Sequence, residues 1–510
     1  MSSTAANIAA NLAGRFWSNI LSIAVVPVYL SFLGAESYGL IGIFTTLHSV
    51  IALLDLGLIW VLMRELTRLS TSGDNSGEER DLMRTVEALY WVISIAAAAA
   101  VFLLAEPLAS HWIRNEGLPH ETVVTAVRWM AVGAGLQFPF FIYQAALMGL
   151  QRQVAINVVQ AVTATVRAAG GVLLVWQKPD IVWFLAWQSG MFLLSTGIAA
   201  FYVWRKLPPS PRRPRFRIAL VSASWRYALG TTLIAVVNAV LSQADKIVLS
   251  KMLTLKAFGY YTIAFSIATT LWSIARPLSS AVFPRLSQLL ATGGDAAAAP
   301  LYHRSTQMMS VLLGPAALMM VFFSYQMVLV WTQSAVTAEN TWVVAALGAA
   351  SILGFGLGDI PYFTRIAAGW VQLSLVLHSC LIVVVVPALA WTAKHYGPTG
   401  SAAVWAVVGF ASFLISVTVM HRRMLRGELA RFLLRDTAAP LLVAATVGLI
   451  GHFLVPRDGA SWLLVLSVGT VYALMVIGAI AVAPDVRSAA MQRLQFAYNT
   501  HVRNRARTQR

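Results

Sequence analysis

Runs of about twenty apolar residues recur along this chain, and a run of that length crosses the roughly 30 Å hydrocarbon core of a bilayer as a helix. In lipid the backbone must satisfy its own hydrogen bonds, so only helices and closed barrels span it. Membrane strands alternate in polarity over about ten residues; the runs here are unbroken. The sequence predicts an all-α polytopic integral membrane protein with about 14 transmembrane helices. They fall near 8–32, 39–63, 85–105, 123–149, 154–176, 181–204, 226–250, 259–283, 306–330, 341–364, 371–393, 399–420, 437–455 and 461–483.

Composition agrees with lipid as the solvent. Of 510 residues, 58% are hydrophobic and 11% charged, against roughly 25% charged in soluble domains. The net charge of +17 would suggest nucleic acid in a soluble protein. Here the basic residues sit between apolar runs, so no nucleic-acid partner is expected. The lone cysteine, Cys380, excludes an intrachain disulfide and a cysteine metal cluster. The nine histidines form no HExxH and no close pair, so neither a metal nor another cofactor is expected. The first apolar run contains Asn11, Arg15 and Asn19 and no small-residue cleavage site. It reads as a span and not as a cleavable signal.

Lysine and arginine set the orientation. One set of loops holds Arg64, Arg68, Arg80, Arg84, Arg152, Arg285, Arg304 and the segments 205–217 and 422–435. The opposite set holds only Arg114, Lys178, Lys251, Lys256, Lys394 and Arg457. The positive-inside rule then places both termini in the cytoplasm.

The segment RKLPPSPRRPRFR at 205–217 is the best internal boundary. Its prolines extend it and its charges favour water or anionic headgroups. The two sides look duplicated. LSFLGAESYGLIGIF from Leu30 is echoed by LSKMLTLKAFGYYTIAF from Leu249, and MRELTRLSTSGD from Met63 by PRLSQLLATGGD from Pro284. The expected organisation is an N-terminal lobe at 1–204 and a basic cytoplasmic linker at 205–225. A C-terminal lobe at 226–420, an extra helix pair at 421–483 and a basic cytoplasmic tail at 484–510 follow.

PVYLSFLGAESYGLIGIF, LLDLGL at 53–58, QADKIVLSKMLTLKAFGYYTIA at 243–264 and RPLSSAVFPRLSQL at 276–289 resemble the oligosaccharide flippase, or polysaccharide transporter, branch of the multidrug/oligosaccharidyl-lipid/polysaccharide exporter superfamily. That resemblance implies two pseudo-symmetric six-helix lobes around a central cavity, plus two C-terminal helices, working by alternating access. It implies a flippase for undecaprenyl-pyrophosphate-linked glycan units in the bacterial inner membrane, serving O-antigen, capsule or exopolysaccharide synthesis. The partners implied are that lipid-linked oligosaccharide, membrane lipids and other polysaccharide assembly proteins. The family has no fixed motif to carry over, so candidate site residues come from depth and helical face.

A charge at the bilayer centre costs roughly 2.5–3.5 kcal/mol on insertion scales, so such residues face a cavity or a partner. The first span carries Asn7, Asn11, Arg15 and Asn19 on one face. The fifth carries Asn157, Gln160, Thr163 and Arg167, and the seventh Tyr227, Thr231, Asn238, Ser242 and Asp245. These stripes suit a wet cavity, with interhelical packing as the alternative. Arg15, Arg167 and Arg276 are the first candidates to meet a pyrophosphate, because arginine presents a fork of donors. Asp55 and Arg276 fall at matching inner positions of the two repeats. They are gate candidates, set against separate local partners in each lobe. Asp245 and Asp359 are candidates for coupling to H+ or Na+. Asp359 stands in GLGDIPYF, either as a hinge or as a solvated aspartate at a proline kink.

Two other functions compete. A cation-coupled multidrug antiporter of the same superfamily calls for an acid-dominated cavity, and the buried charges here lean basic. A membrane-embedded polymerase or acyltransferase needs acids or histidines at a membrane face. The longest outward loop, 106–122, is short, and its His111, His120, Glu116 and Glu121 make no obvious catalytic constellation. No enzyme activity is expected.

Overall fold

The computed structural model describes residues 17–492 apart from 19, 56, 73–76, 211, 223, 224, 371, 489 and 490, and leaves aside the side chains of 71, 72, 222–235 and 238. Asn11, Arg15 and Asn19, and the side chain of Asn238, lie outside the described residues. Among those described there is no strand, only a single bridge between Arg114 and Thr254. Among the described residues ten helices are long and apolar enough to cross a membrane.

In chain order the helices are α1 Val26–Ala52, α2 Leu58–Ser72, α3 Glu78–Leu103, α4 His120–Gln137 and α5 Phe140–Gly149. Next come α6 Gln153–Gln177, α7 Ile181–Lys206, α8 Trp225–Met252, α9 Leu255–Thr269 and α10 Trp272–Thr332. The last are α11 Ala335–Leu357, α12 Asp359–Ala367, α13 Gln372–Arg423, α14 Ala439–Leu454 and α15 Ser461–Val482. At 61 residues, α10 would be about 90 Å long if straight, some three times a bilayer core. It is interrupted at Gly294 (φ 64°), and α13 at Gly397 (φ 60°). Only glycine enters this left-handed region without steric cost, and both breaks fall between expected spans.

The chain forms two compact units, Met1–Thr262 with His378–Pro398, and Ile263–Leu377 with Thr399–Arg510. The core of the first is built on Leu62 and Leu66 of α2, Met83 and Tyr90 of α3, and Phe138 and Tyr143. That of the second is built on Tyr302 and Leu313 of α10, Leu353 of α11, Met420 of α13 and Phe432. Outer faces stay apolar: Val383 is 73% exposed and Phe453 80%. Such faces belong against lipid, where exposure of this kind carries no hydration cost.

Within the first unit the repeated motif has a physical role. Gly39 of α1 and Gly259 of α9 are the matching glycines of the two copies. A Cβ on Gly39 would strike the carbonyl oxygen of Leu255, and one on Gly259 that of Ala35. Gly42 sits equally close to Thr262 and Phe258. Small residues let two membrane helices approach to backbone contact, and a backbone carbonyl has nowhere to retreat. Gly259→Ala is therefore expected to cost about 1–3 kcal/mol of overpacking, read as a lowered thermal midpoint in detergent. Gly197→Ala, where the space within 4 Å is open, is expected to leave the midpoint unchanged or higher. The same motif holds the 106–122 loop: Glu36 accepts from the backbone N–H groups of Glu116 and Gly117, each at 2.9 Å.

The basic linker packs on the start of α3. Asp81 is fully buried. It accepts from Arg212 Nη2 at 2.9 Å and from the backbone N–H of Arg215 at 2.8 Å, with Arg217 Nε at 3.4 Å. Arg80 in turn donates to the carbonyls of Leu207 and Pro208. Arg212 and Arg217 keep about a third or more of their side chains exposed, at 32% and 42%, while reaching the buried Asp81. A buried carboxylate needs compensating donors, and the linker supplies them.

Candidate functional site

Arg167 is the fifteenth residue of the 25-residue α6, so about 21 Å of helix separates it from the start and about 15 Å from the end. Snorkelling cannot carry its charge to an interface. Its guanidinium lies over the ring of Phe192 of α7, 5.0 Å from the centroid. It acts electrostatically on Tyr29 and His48 of α1. Trp187 Nε1 donates to the backbone carbonyl of Arg167 at 3.0 Å, and the Tyr29 hydroxyl to that of Ala168 at 3.4 Å. Both bonds fix the helix and leave the guanidinium donors uncommitted. Among the described residues Arg167 has no ion pair. A guanidinium at this depth, backed by an aromatic face, suits a phosphate oxygen.

The rest of the fifth-span stripe shares this helix. Asn157 is buried and engaged in an interaction. Gln160 is half-buried. The Thr163 hydroxyl returns to the carbonyl of Val159 at 2.7 Å, so it serves its own helix.

Each gate candidate has a partner inside its own unit. Asp55 accepts from the backbone N–H of Gly57 at 3.1 Å and of Ile59 at 3.0 Å, and from the Tyr90 hydroxyl. It caps the start of α2, as an aspartate before an apolar run does. Arg276 Nη1 is 3.8 Å from Asp359 Oδ1, and its guanidinium lies 4.5 Å from the Trp272 centroid.

The coupling candidates are both buried. Asp245 of α8 is 2% exposed. Its Oδ2 accepts from Tyr261 at 2.6 Å, and its Oδ1 has no hydrogen bond among the described residues. Lys246 turns away, to Gln243. Asp359 opens α12 directly after the break at Gly358. It is 5% exposed, so the alternative of a solvated aspartate is corrected; Arg276 stands 3.8 Å from its Oδ1. In the 106–122 loop, His120 pairs with Glu106 at 2.7 Å and both are exposed.

Sequence reasoning passed over three buried groups. Glu87, inside the expected third span, accepts from Tyr143 at 2.7 Å and Trp204 at 3.0 Å, with Arg84 at 3.1 Å. An acid within a span is itself a signal. Arg365, one residue beyond the expected tenth span, is 2% exposed, and its Nε and Nη1 have no hydrogen bond among the described residues. His303 and Asp436 are each 0% exposed and bond to one another.

Known proteins fit this arrangement. A family model described as polysaccharide biosynthesis protein matches residues 4–290, more than half of the chain. A Shigella flexneri protein named "Putative O-antigen transporter" is 19% identical over 403 residues, covering 78% of this chain and 93% of its own. Among solved structures, lipid II flippase MurJ in an inward closed conformation superposes with a TM-score of 0.68 at 14% identity, covering 94% of this chain and 98% of its own. An inward-facing multidrug resistance MATE family transporter of the MOP superfamily gives 0.63 at 13% identity, covering 79% of this chain and 95% of its own. At such identities the likeness to the solved structures is one of fold. The family match, over many apolar helices, makes the chain a multi-pass membrane protein of the polysaccharide biosynthesis protein family, with the fold shared by the MurJ and MATE structures.

Proposed function

We propose that this protein flips undecaprenyl-pyrophosphate-linked oligosaccharides from the inner to the outer leaflet of the bacterial inner membrane, for O-antigen, capsule or exopolysaccharide assembly. Both termini are cytoplasmic in this reading. Transport runs by alternating access, with H+ or Na+ as the coupling ion and Asp245 and Asp359 as its candidate sites. Substrate recognition, not bond-making chemistry, is the task of the buried side chains.

The observation that carries the reading is Arg167, a mid-membrane guanidinium without an ion pair among the described residues and set on an aromatic ring. A drug-cation antiporter gains nothing from such a group, whereas a pyrophosphate head needs one. The names of the Shigella relative and of the flippase neighbour point the same way. The competing antiporter reading draws on the buried acids Asp245 and Asp359 and on the MATE-like fold.

Reconstituted vesicles separate the two. With the purified protein, a fluorescent undecaprenyl-pyrophosphate oligosaccharide is expected to become accessible to a membrane-impermeant quencher faster than in protein-free vesicles. Efflux of a lipophilic dye cation with no movement of the glycan lipid would establish the antiporter instead.

A further inference from the structure

The second unit buries a positive charge that none of its acids answers. Arg365 stands in the last turn of α12 and is 2% exposed. Its Nε and Nη1 are buried and have no hydrogen bond among the described residues. It has no ion pair among them either. The side chains that act on it electrostatically are Tyr362 and Tyr302. The Tyr362 ring centroid lies 5.9 Å from its guanidinium carbon. Tyr302 is fully buried, and its hydroxyl meets His421 Nε2 at 3.4 Å. A phenol is uncharged at neutral pH, so neither ring supplies a countercharge. Both buried acids of the unit are taken up elsewhere. Asp359 faces Arg276 at 3.8 Å, and Asp436 bonds to His303 and Gln307.

Arginine cannot escape burial by losing its proton. A buried charge is paired as a rule, because stripping it of water without compensation is costly. The missing partner must therefore be an anion from outside the described residues. Its chemistry follows from the donor. A planar guanidinium matches the oxygens of a phosphate.

The surface is close at hand. Arg365 falls one residue beyond the expected tenth span, at headgroup depth and not at mid-span like Arg167. Its carbonyl accepts from the Trp370 backbone N–H at 2.9 Å, across a turn that Gly369 makes at φ 76°. Trp370 is half-buried. The exposed Arg423 of α13 lies over its ring, 4.6 Å from the centroid, and Arg422 beside it is exposed too. Arg365, Trp370 and Arg423 thus run from the interior to the surface. An indole at that depth belongs to the membrane interface. With both termini cytoplasmic this is the cytoplasmic face, where the leaflet is anionic.

We propose that Arg365 anchors a binding site for the phosphate oxygens of an anionic ligand, with Trp370 and Arg423 at its rim. A lipid headgroup and free phosphate share that chemistry. The bound anion compensates the buried guanidinium and so stabilises the second unit.

The test uses the full-length protein, stripped of lipid in a maltoside detergent and phosphate-free buffer. A ligand that binds only the folded state raises the thermal midpoint. Phosphatidylglycerol is the lipid probe, diacylglycerol with the same chains its control without phosphate, and inorganic phosphate the soluble probe. Phosphatidylglycerol is expected to raise the midpoint of the unmodified protein further than diacylglycerol does. In Arg365→Met, the phosphatidylglycerol concentration giving half the rise is expected to increase about 10- to 100-fold, the factor carried by a hydrogen bond to a charged group. Arg365→Lys keeps the charge without the planar fork and is expected to fall between the two. It decides the matter if Arg365→Met does not fold. The other surface arginines give a background common to all three proteins. A response to inorganic phosphate that depends on Arg365, without one to phosphatidylglycerol, identifies the ligand as free phosphate. The site is overturned if neither probe's half-rise concentration changes in the folded Arg365 variants. It is overturned equally if phosphatidylglycerol does no more than diacylglycerol and inorganic phosphate does nothing. None of these readouts involves a glycan, so they hold whatever the transported substrate is.

Discussion

Arg167→Ala is expected to abolish most glycan-lipid transport, lowering the rate in reconstituted vesicles about 10- to 100-fold while the protein still folds and inserts. Hydrogen bonds to a charged group are worth about 1.5–3 kcal/mol, and that is the interaction a phosphate loses. The fold should tolerate the change. No carboxylate among the described residues is left unpaired by it. Removing a charge from mid-membrane also relieves part of its desolvation cost. Only the contact with Phe192 is forfeited. Arg167→Lys should recover part of the rate and not all of it, because an ammonium offers no planar fork. Normal transport by Arg167→Ala would remove this residue from the substrate path.

The largest effect on stability is expected at Glu87. Its carboxylate receives the Tyr143 hydroxyl and the Trp204 indole within the first unit's core. Truncation to alanine strands both donors away from water. Each stranded donor costs about 1–3 kcal/mol, so Glu87→Ala should lose about 2–6 kcal/mol. Trp91, which donates to the Tyr143 oxygen at 3.4 Å, cannot satisfy either donor. Arg84 is already 58% exposed on its side chain and turns to solvent at little cost. Glu87→Gln keeps an accepting oxygen and should cost under about 1.5 kcal/mol. Thermal unfolding of both variants in detergent checks the pair. Equal midpoints for alanine and glutamine would mean that the bonds contribute nothing.

Much of the fold could be read from the sequence because lipid imposes a single rule on every span. Twenty apolar residues without charge must be helix, and arginine between them must face water or headgroups. The breaks at Gly294 and Gly397 fall where the apolar runs pause. The motif around Gly39 and Gly259 was legible as a repeat, but its reason was not. That reason is a crossing between residues 220 positions apart, and periodicity carries no information on which helices touch.

The candidate site was half legible for the same reason. Arg167 announced itself by depth alone. Asp55 looked like a gate acid because the depth rule weighs charge, while the shorter-range signal, an aspartate just ahead of a new apolar run, already described a helix cap. Asp81 and His303 lie a few residues outside the expected spans and Glu87 only two residues inside one, where a charge is easily passed over. What buries them is a partner segment more than 100 residues away: Trp204 for Glu87, Arg212 for Asp81, Asp436 for His303. No window along the chain contains both members of such a pair.

The flippase reading is tested most directly by the leaflet distribution of lipid-linked oligosaccharide in cells lacking this protein. Repeat units are expected to accumulate in the cytoplasmic leaflet, with surface glycan lost and restored by the intact gene but not by Arg167→Ala. Unchanged surface glycan, accompanied by new sensitivity to cationic drugs, would contradict it.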